Sequence, residues 1–323
     1  MKLKKEYAIL VVVISVSVLY LWLYKKDRTH YQLPVVPEIS NDRITQIEIG
    51  KSDASIILNR KDKSWYIGPD VYLADSEKVK SMLDVIEKLT VTALVSESKN
   101  YFRYDLNNDK KITINAWEGA TLKRKFDVGK SATTFRHTFI KLEEDPNVYH
   151  ARDDFRHTFD QTIDKLRDKN VLSFEPNNIR EIRISKDKKT ILISRKDLSV
   201  TDDEQKDVEN KPSETKKGDV IWQTAEGDQL DTSDLKRLLS SLSQLDCEKY
   251  IKGGKKDDFK APDLFIKLNG EAKEYSISVF SKTNTDATTY PAISSENKHP
   301  FFLSDSQVDN LKTNMEKIIK TDN

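Results

Sequence analysis

A single cysteine, Cys247, among 323 residues rules out an intrachain disulfide and every metal or redox site built on paired cysteines. Its setting, LSSLSQLDCEKY, ends an apolar helical stripe and marks it as a packing residue rather than a reactive thiol. Net charge is almost absent too: 54 Lys plus Arg against 53 Asp plus Glu leave a formal +1. The signs interleave, as in KKITINAWEGATLKRKFD, so the basic stripe that binds a polyanion is missing and nucleic acid is not an expected partner. Glycine is scarce, at nine residues, which leaves few positions for the shaped loops of an enzyme site. His-Glu-x-x-His, Gly-x-Ser-x-Gly and Gly-x-Gly-x-x-Gly do not occur.

Two stretches come near a known site and miss it. Asp105, Asn107 and Asp109 stand at the first, third and fifth places of a calcium loop, but Lys110 replaces its glycine and Ala116 its bidentate glutamate, so the stretch reads as a turn. Gly253, Gly254 and Lys255 mimic the end of a phosphate loop without its first glycine or its Ser/Thr, and read as a hairpin or linker turn. Paired carboxylates such as Asp153 and Asp154, or Asp257 and Asp258, fit helix starts and solvated turns.

What is present begins with an apolar run. Ala8 to Tyr24, AILVVVISVSVLYLWLY, carries no charge and would reach about 25 Å as a helix, near the lower limit for a bilayer span. Tyr20, Trp22 and Tyr24 cluster at its end, where amphipathic rings prefer an interface. The following YLWLYKKDR is too bulky and basic for a signal-peptidase site, so an uncleaved membrane anchor over residues 1–26 is expected. Lys2, Lys4 and Lys5 are matched by Lys25, Lys26 and Arg28, so charge does not set the orientation. A short amino tail favours a single-pass protein of the bacterial cytoplasmic membrane, with its bulk extracytoplasmic. Residues 27–42, with two prolines, read as a stalk.

The body reads as a duplication. RITQIEIGKSDASIILNRKD recurs as NIREIRISKDKKTILISRKD at an offset of 135, so that Ile44, Ile47 and Ile49 become Ile179, Ile182 and Ile184. Trp65 then meets Trp222, past an aromatic-free insertion at 198–219 expected to be disordered. Both copies continue with a helix: Val79, Met82, Leu83, Ile86 and Leu89 behind Asp75, then Leu235, Leu238, Leu239, Leu242 and Leu245 behind Asp231 or Thr232. Strand patterns follow as KITINAW, LKRKFDV, TFIKL and NVYHA, then as DLFIKL, EYSISVF, TYPAI and PFFLS. Each copy is expected to close on a helix, 153–167 and 304–320. The expected architecture is α+β: an amino-terminal transmembrane helix, then two tandem domains with mainly antiparallel sheets, residues 43–170 and 171–323.

The pentapeptide FRHTF occurs twice, placing His137 and His157 twenty residues apart. The first copy alternates Phe135, His137 and Phe139 as a strand does; the second puts Phe155, Phe159, Ile163 and Leu166 on a helical face away from His157. The same letters serve different periods, so a shared histidine site is not expected. Trp65 and Trp222 are packing residues by equivalence, and Tyr101, Phe102 and Tyr104 fit a strand-edge core, with a docking patch as the alternative. No catalytic, cofactor-binding or metal-ligating residue is assigned, and no cofactor is expected.

These residues carry a resemblance: the anchor, I-x-x-I-x-I, a return strand ending in Arg, the tryptophan strand, Ala74-Asp75 before a helix, Tyr104-Asp105-Leu106, Asp127-Val128-Gly129-Lys130, an aromatic strand and Val148-Tyr149. They resemble a bacterial membrane-anchored family of unknown function often encoded beside gliding-motility-type ABC transporter genes. Asp105 stands where that family usually has glycine, and Phe139 where it usually has tyrosine. The resemblance implies a tethered extracytoplasmic module, an auxiliary part of a transporter or envelope complex, with no catalytic residues to carry over. The expectation is a non-enzymatic interaction module with a membrane or envelope protein partner. The alternatives are a glycan- or peptide-binding protein with a site between the repeats, and an unrecognised hydrolase.

Overall fold

The computed structural model of the protein describes residues 5–23, 31–52, 54–68, 72–186, 189–197, 220–284 and 286–320. The insertion at 198–219 and the start of the expected stalk, residues 27–30, lie outside the described residues. The chain divides into two compact units, Met1–Leu166 and Arg167–Asn323.

The first unit opens with helix α1, Lys5–Leu23. Among the described residues no helix is long and apolar enough to cross a membrane. Strands β1 (Gln46–Gly50), β2 (Ser55–Lys61), β3 (Ser64–Ile67) and β4 (Tyr72–Leu73) lead into helix α2 (Ser76–Lys88), followed by β5 (Val91–Ser96), β6 (Ile112–Glu118), β7 (Thr121–Ser131), β8 (His137–Leu142) and β9 (Val148–Arg152). They form one sheet in the order β4-β3-β2-β1-β6-β7-β8-β9-β5, antiparallel at every pairing. The isoleucine alternation sets the register. Ile47 faces Leu58 and Ala116 across β1, Ile49 faces Ile56 and Ile114, and all point to one core.

Helix α2 covers that face with Val79, Met82 and Ile86, none more than 1% exposed. Each such side chain stabilises the unit by about 1.5–3 kcal/mol on burial. The Asp75 carboxylate starts the helix by accepting the backbone N–H groups of Glu77 and Lys78 at 3.0 and 3.1 Å.

The second unit contains β10 (Asn170–Ser173), β11 (Ile179–Lys186), β12 (Lys189–Asp197), β13 (Val220–Thr224), β14 (Gln229–Leu230), α5 (Thr232–Ser243), β15 (Gln244–Asp246), β16 (Lys249–Tyr250), β17 (Leu264–Gly270), β18 (Glu274–Val279), β19 (Thr289–Ser294), β20 (Phe301–Ser304) and α6 (Asp305–Lys320). Its large sheet runs β14-β13-β12-β11-β17-β18-β19-β20-β16, which is the first sheet's order strand for strand. Register agrees as well as order. Arg60 pairs with Trp65 and donates to the Asp42 carbonyl at 2.7 Å; Arg195 pairs with Trp222 and donates to the Asn177 carbonyl at 2.6 Å. The duplication read from isoleucine spacing therefore reaches hydrogen-bond detail.

Three expectations need correction. The helix expected over 153–167 is two single turns, α3 (Arg156–Phe159) and α4 (Ile163–Leu166). Phe155, Phe159 and Leu166 are buried together, Ile163 of the expected face is 38% exposed, and Lys51 binds the chain between the turns through the Asp160 carboxylate at 2.7 Å and the Gln161 carbonyl at 3.0 Å. The Thr162 hydroxyl then accepts the Lys165 N–H at 3.3 Å and restarts the helix. Phe135 is not a strand residue: it has φ 53° in the turn before β8 and is 74% exposed. The described part of the stalk is not free, because Leu33, Val36 and Ile39 pack on the first core.

The turn at Tyr104-Asp105-Leu106 explains its residues. Asp105 takes φ 54°, the left-handed region in which glycine is easiest, and Lys110 pairs with its carboxylate at 3.2 Å where a calcium ligand set would lie. A Cβ added at Gly129 would strike the Tyr104 carbonyl oxygen and lie 2.9 Å from Leu106 Cγ. Gly129→Ala is therefore expected to lower stability by about 1–3 kcal/mol, read as a drop in the urea midpoint with an unchanged slope.

Candidate functional site

Pairing with the neighbouring strand fixes which residues correspond between the units beyond the helices. Leu94 faces Tyr149 as Tyr250 faces Phe301, and Ala93 faces His150 as Lys249 faces Phe302. By this register residues 87–94 correspond to 243–250, and by the 135 offset residues 32–39 correspond to 167–174.

In the second unit these two segments are zipped together. Asn170 pairs with Asp246, Leu172 with Leu245 and Ser173 with Gln244. The Cys247 N–H donates to the Lys169 carbonyl at 2.8 Å, and the Phe174 N–H to the Ser243 carbonyl at 3.1 Å. Tyr250 clamps the entry: its hydroxyl donates to the Asp168 carbonyl at 2.7 Å and accepts from Asn297 Nδ2 at 2.9 Å, while the Arg167 guanidinium lies 3.4 Å over its ring. Burial raises the Tyr250 pKa and pushes the Cys247 thiol up to about 11, which keeps Cys247 a neutral packing residue at physiological pH.

In the first unit the same segments stand apart. Pro34 occupies the place of Lys169 and Pro37 that of Leu172, and proline has no N–H to donate. Among the described residues no backbone hydrogen bond joins residues 34–39 to residues 87–91. A cleft of about 730 Å³ lies there instead, lined by residues 34–39, 87–91, Arg152 and Asp153. Val36, Ile39, Leu89 and Val91 form its apolar part, and Val35 is 91% exposed.

Arg124 holds this open arrangement. Only 6% exposed, its guanidinium donates to the carbonyls of Ile86 and Pro37, and to that of Glu87 at 3.3 Å, tying the strap to the end of α2. Burial lowers its pKa to about 10, so it remains a cation at neutral pH. The Glu87 carboxylate anchors the strap's exit through the Asn41 N–H at 3.2 Å and Nδ2 at 3.3 Å. The lining has neither histidine, serine nor cysteine. Its resources are backbone groups, apolar side chains and charges of both signs.

The histidines fall out differently from the repeated pentapeptide. His157 is exposed on α3. His137 stacks instead on His150 of the next strand, ring centroids 5.2 Å apart and planes 24° from parallel. The row continues through Phe139, 4.7 Å from His150, to Tyr104, 4.9 Å from Phe139. Burial and then the neighbouring His137 lower the His150 pKa, and its Nε2 is buried without a protein partner. Among the described residues no three His, Cys, Asp or Glu side chains gather as a metal site. Sequence spacing missed this pair because strand register, not chain distance, joins it. The cleft left a legible signal: prolines at two positions where the second copy has residues that carry an N–H.

Two outcomes follow from these contacts. Arg124→Ala leaves three carbonyls without their donor, at about 1–3 kcal/mol for each one that stays buried, and limited proteolysis should cut the strap near residues 34–39 several-fold faster than in the wild type. His150 has a lowered folded pKa, so the unfolded chain binds the proton more readily, and stability falls as pH drops below the unfolded value near 6.5 toward the folded one. His150→Phe, which installs the residue found at Phe302, should flatten the dependence of the denaturation midpoint on pH between about 7 and 5.

Comparison with curated proteins and with solved structures returns no match. The family model described as "Domain of unknown function (DUF4340)" matches residues 65–264, which take in α2 and the cleft's helix side in the first unit and most of the sheet-forming half of the second. That match covers more than half of the 323 residues, and the chain belongs to this family.

Proposed function

We propose that the protein is a non-enzymatic interaction module tethered to the bacterial cytoplasmic membrane by Ala8 to Tyr24, with its two units extracytoplasmic and engaged with a membrane or envelope protein. The observation that carries this reading is the bare apolar surface of α1. From Ile9 to Tyr20 the large apolar side chains are 54–64% exposed, on every face of the helix. Water is a costly neighbour for such a surface, and lipid is the solvent that relieves it. Those twelve residues span only about 18 Å, and the uncharged run of the sequence, Ala8 to Tyr24, would reach about 25 Å as a helix. An auxiliary place in an ABC-transporter or envelope complex accords with the family resemblance.

Carbonate-washed membranes are the test. The full chain should remain in the pellet and a chain lacking residues 1–26 should move to the supernatant. Protease added to intact spheroplasts should digest the tethered body. A full chain released by carbonate, or a body cut only after lysis, contradicts the tether or its orientation.

A further inference from the structure

We infer that the cleft of the first unit is a strand-acceptor site, which takes an extended segment of a partner protein in the place that β10 occupies in the second unit. This deepens the interaction-module reading and rests on it.

The internal duplication supplies the comparison. In the second unit the groove beside the end of α5 is filled by a strand of the chain itself, zipped to β15 and sealed by Cys247 N–H to Lys169 O and Phe174 N–H to Ser243 O. In the first unit the corresponding segment has Pro34 and Pro37 at the places of Lys169 and Leu172, is bound by Arg124 through the Pro37 carbonyl, and lines the cleft opposite residues 87–91. The strap wall carries main-chain groups that the fold does not pair, whereas on the opposite wall the Glu87, Lys88 and Thr90 carbonyls already accept from Arg124, the Thr90 hydroxyl and the Arg152 N–H. Among the described residues the N–H groups of Val35, Val36, Glu38 and Ile39 make no backbone hydrogen bond.

A ligand that satisfies such a wall needs donors and acceptors at the spacing of a polypeptide, about 3.4 Å per residue. Val36, Ile39, Leu89 and Val91 line the cleft with the apolar rim of the first core. The lining charges are Glu38, Glu87 and Asp153 against Lys88 and Arg152, and Glu87 is already committed to Asn41. Lys88 is likewise paired with Asp84 at 3.0 Å, and two free anions facing one free cation favour neither a polyphosphate nor an anionic lipid headgroup. The segment would run antiparallel to residues 88–90, as β10 runs to β15. The strap begins about ten residues after Tyr24, within at most about 35 Å of chain, so the acceptor site faces partners anchored in the same membrane.

The probe is the chain's own filler, a blocked synthetic peptide KNVLSFE copied from residues 169–175, offered to the full-length protein in detergent. Saturable binding is expected, with at least tenfold slowing of amide exchange confined to residues 35–39 and 88–91. The same peptide with proline at the positions of Asn170 and Leu172 should bind at least tenfold more weakly. The double variant Pro34→Lys, Pro37→Leu gives the strap the residues of the second unit; it should zip shut, gain exchange protection without peptide, and lose at least tenfold in peptide affinity. No slowing of exchange at millimolar peptide, slowing elsewhere only, or equal affinity in the double variant overturns the proposal. The wild-type exchange result stands even if the variant fails to fold. Membrane retention measured on the same preparation reports on the tether alone, so a failed acceptor site and a failed tether are distinguishable.

Discussion

An antiparallel sheet satisfies its backbone everywhere except along its two outer edges, and what a fold does with those bare rows decides much of what it can bind. Here one sheet design occurs twice in one chain, with the same strand order and the same central isoleucine register. The helix beside the last strand is capped by the same residue type, Asp75 and Asp231. Against that constancy the segment leading from the helix to the edge strand is treated differently. The second unit zips β10 to it as a separate two-stranded sheet and locks that strand with Tyr250; the first holds its equivalent segment aside with Arg124.

The energetics account for the divergence. A backbone ladder is cheap to keep once the chain is already extended along it, each bond contributing about 0.5–1.5 kcal/mol net. The strap of the first unit, with proline at residues 34 and 37, is held by something else. Arg124 provides charge-assisted bonds to three carbonyls from a buried position. Its counterpart by strand register is Tyr275, which packs on Phe174 as an ordinary core aromatic 5.3 Å away. An arginine where a repeat has tyrosine is thus the mark of a segment that stands apart.

Most of the fold was legible because it rests on local periodicity. The isoleucine alternation, the capped α2 and α5 stripes as far as Ile86 and Leu242, and the eight later strand patterns appear where their spacing puts them, whereas Leu245, read into the helical stripe, lies in β15. The features missed depend on contacts between residues distant in the chain. The split of 153–167 into two turns follows from Lys51, more than a hundred residues away in sequence. The His137–His150 stack follows from register across β8 and β9. The cleft could have been read by carrying the 135 offset back past Ile44 to the prolines, since the pairing it disrupts is visible only in the other copy.

Native amide exchange on the full chain without any ligand tests the central claim, that equivalent segments are zipped together in one unit and stand apart in the other. The Phe174 and Cys247 amides should be protected by orders of magnitude, while the Ile39 amide, counterpart of Phe174, should exchange at close to the rate of an unstructured peptide. Equal protection at Ile39 and Phe174 would mean that the first pair of segments is zipped like the second, and the account would be wrong.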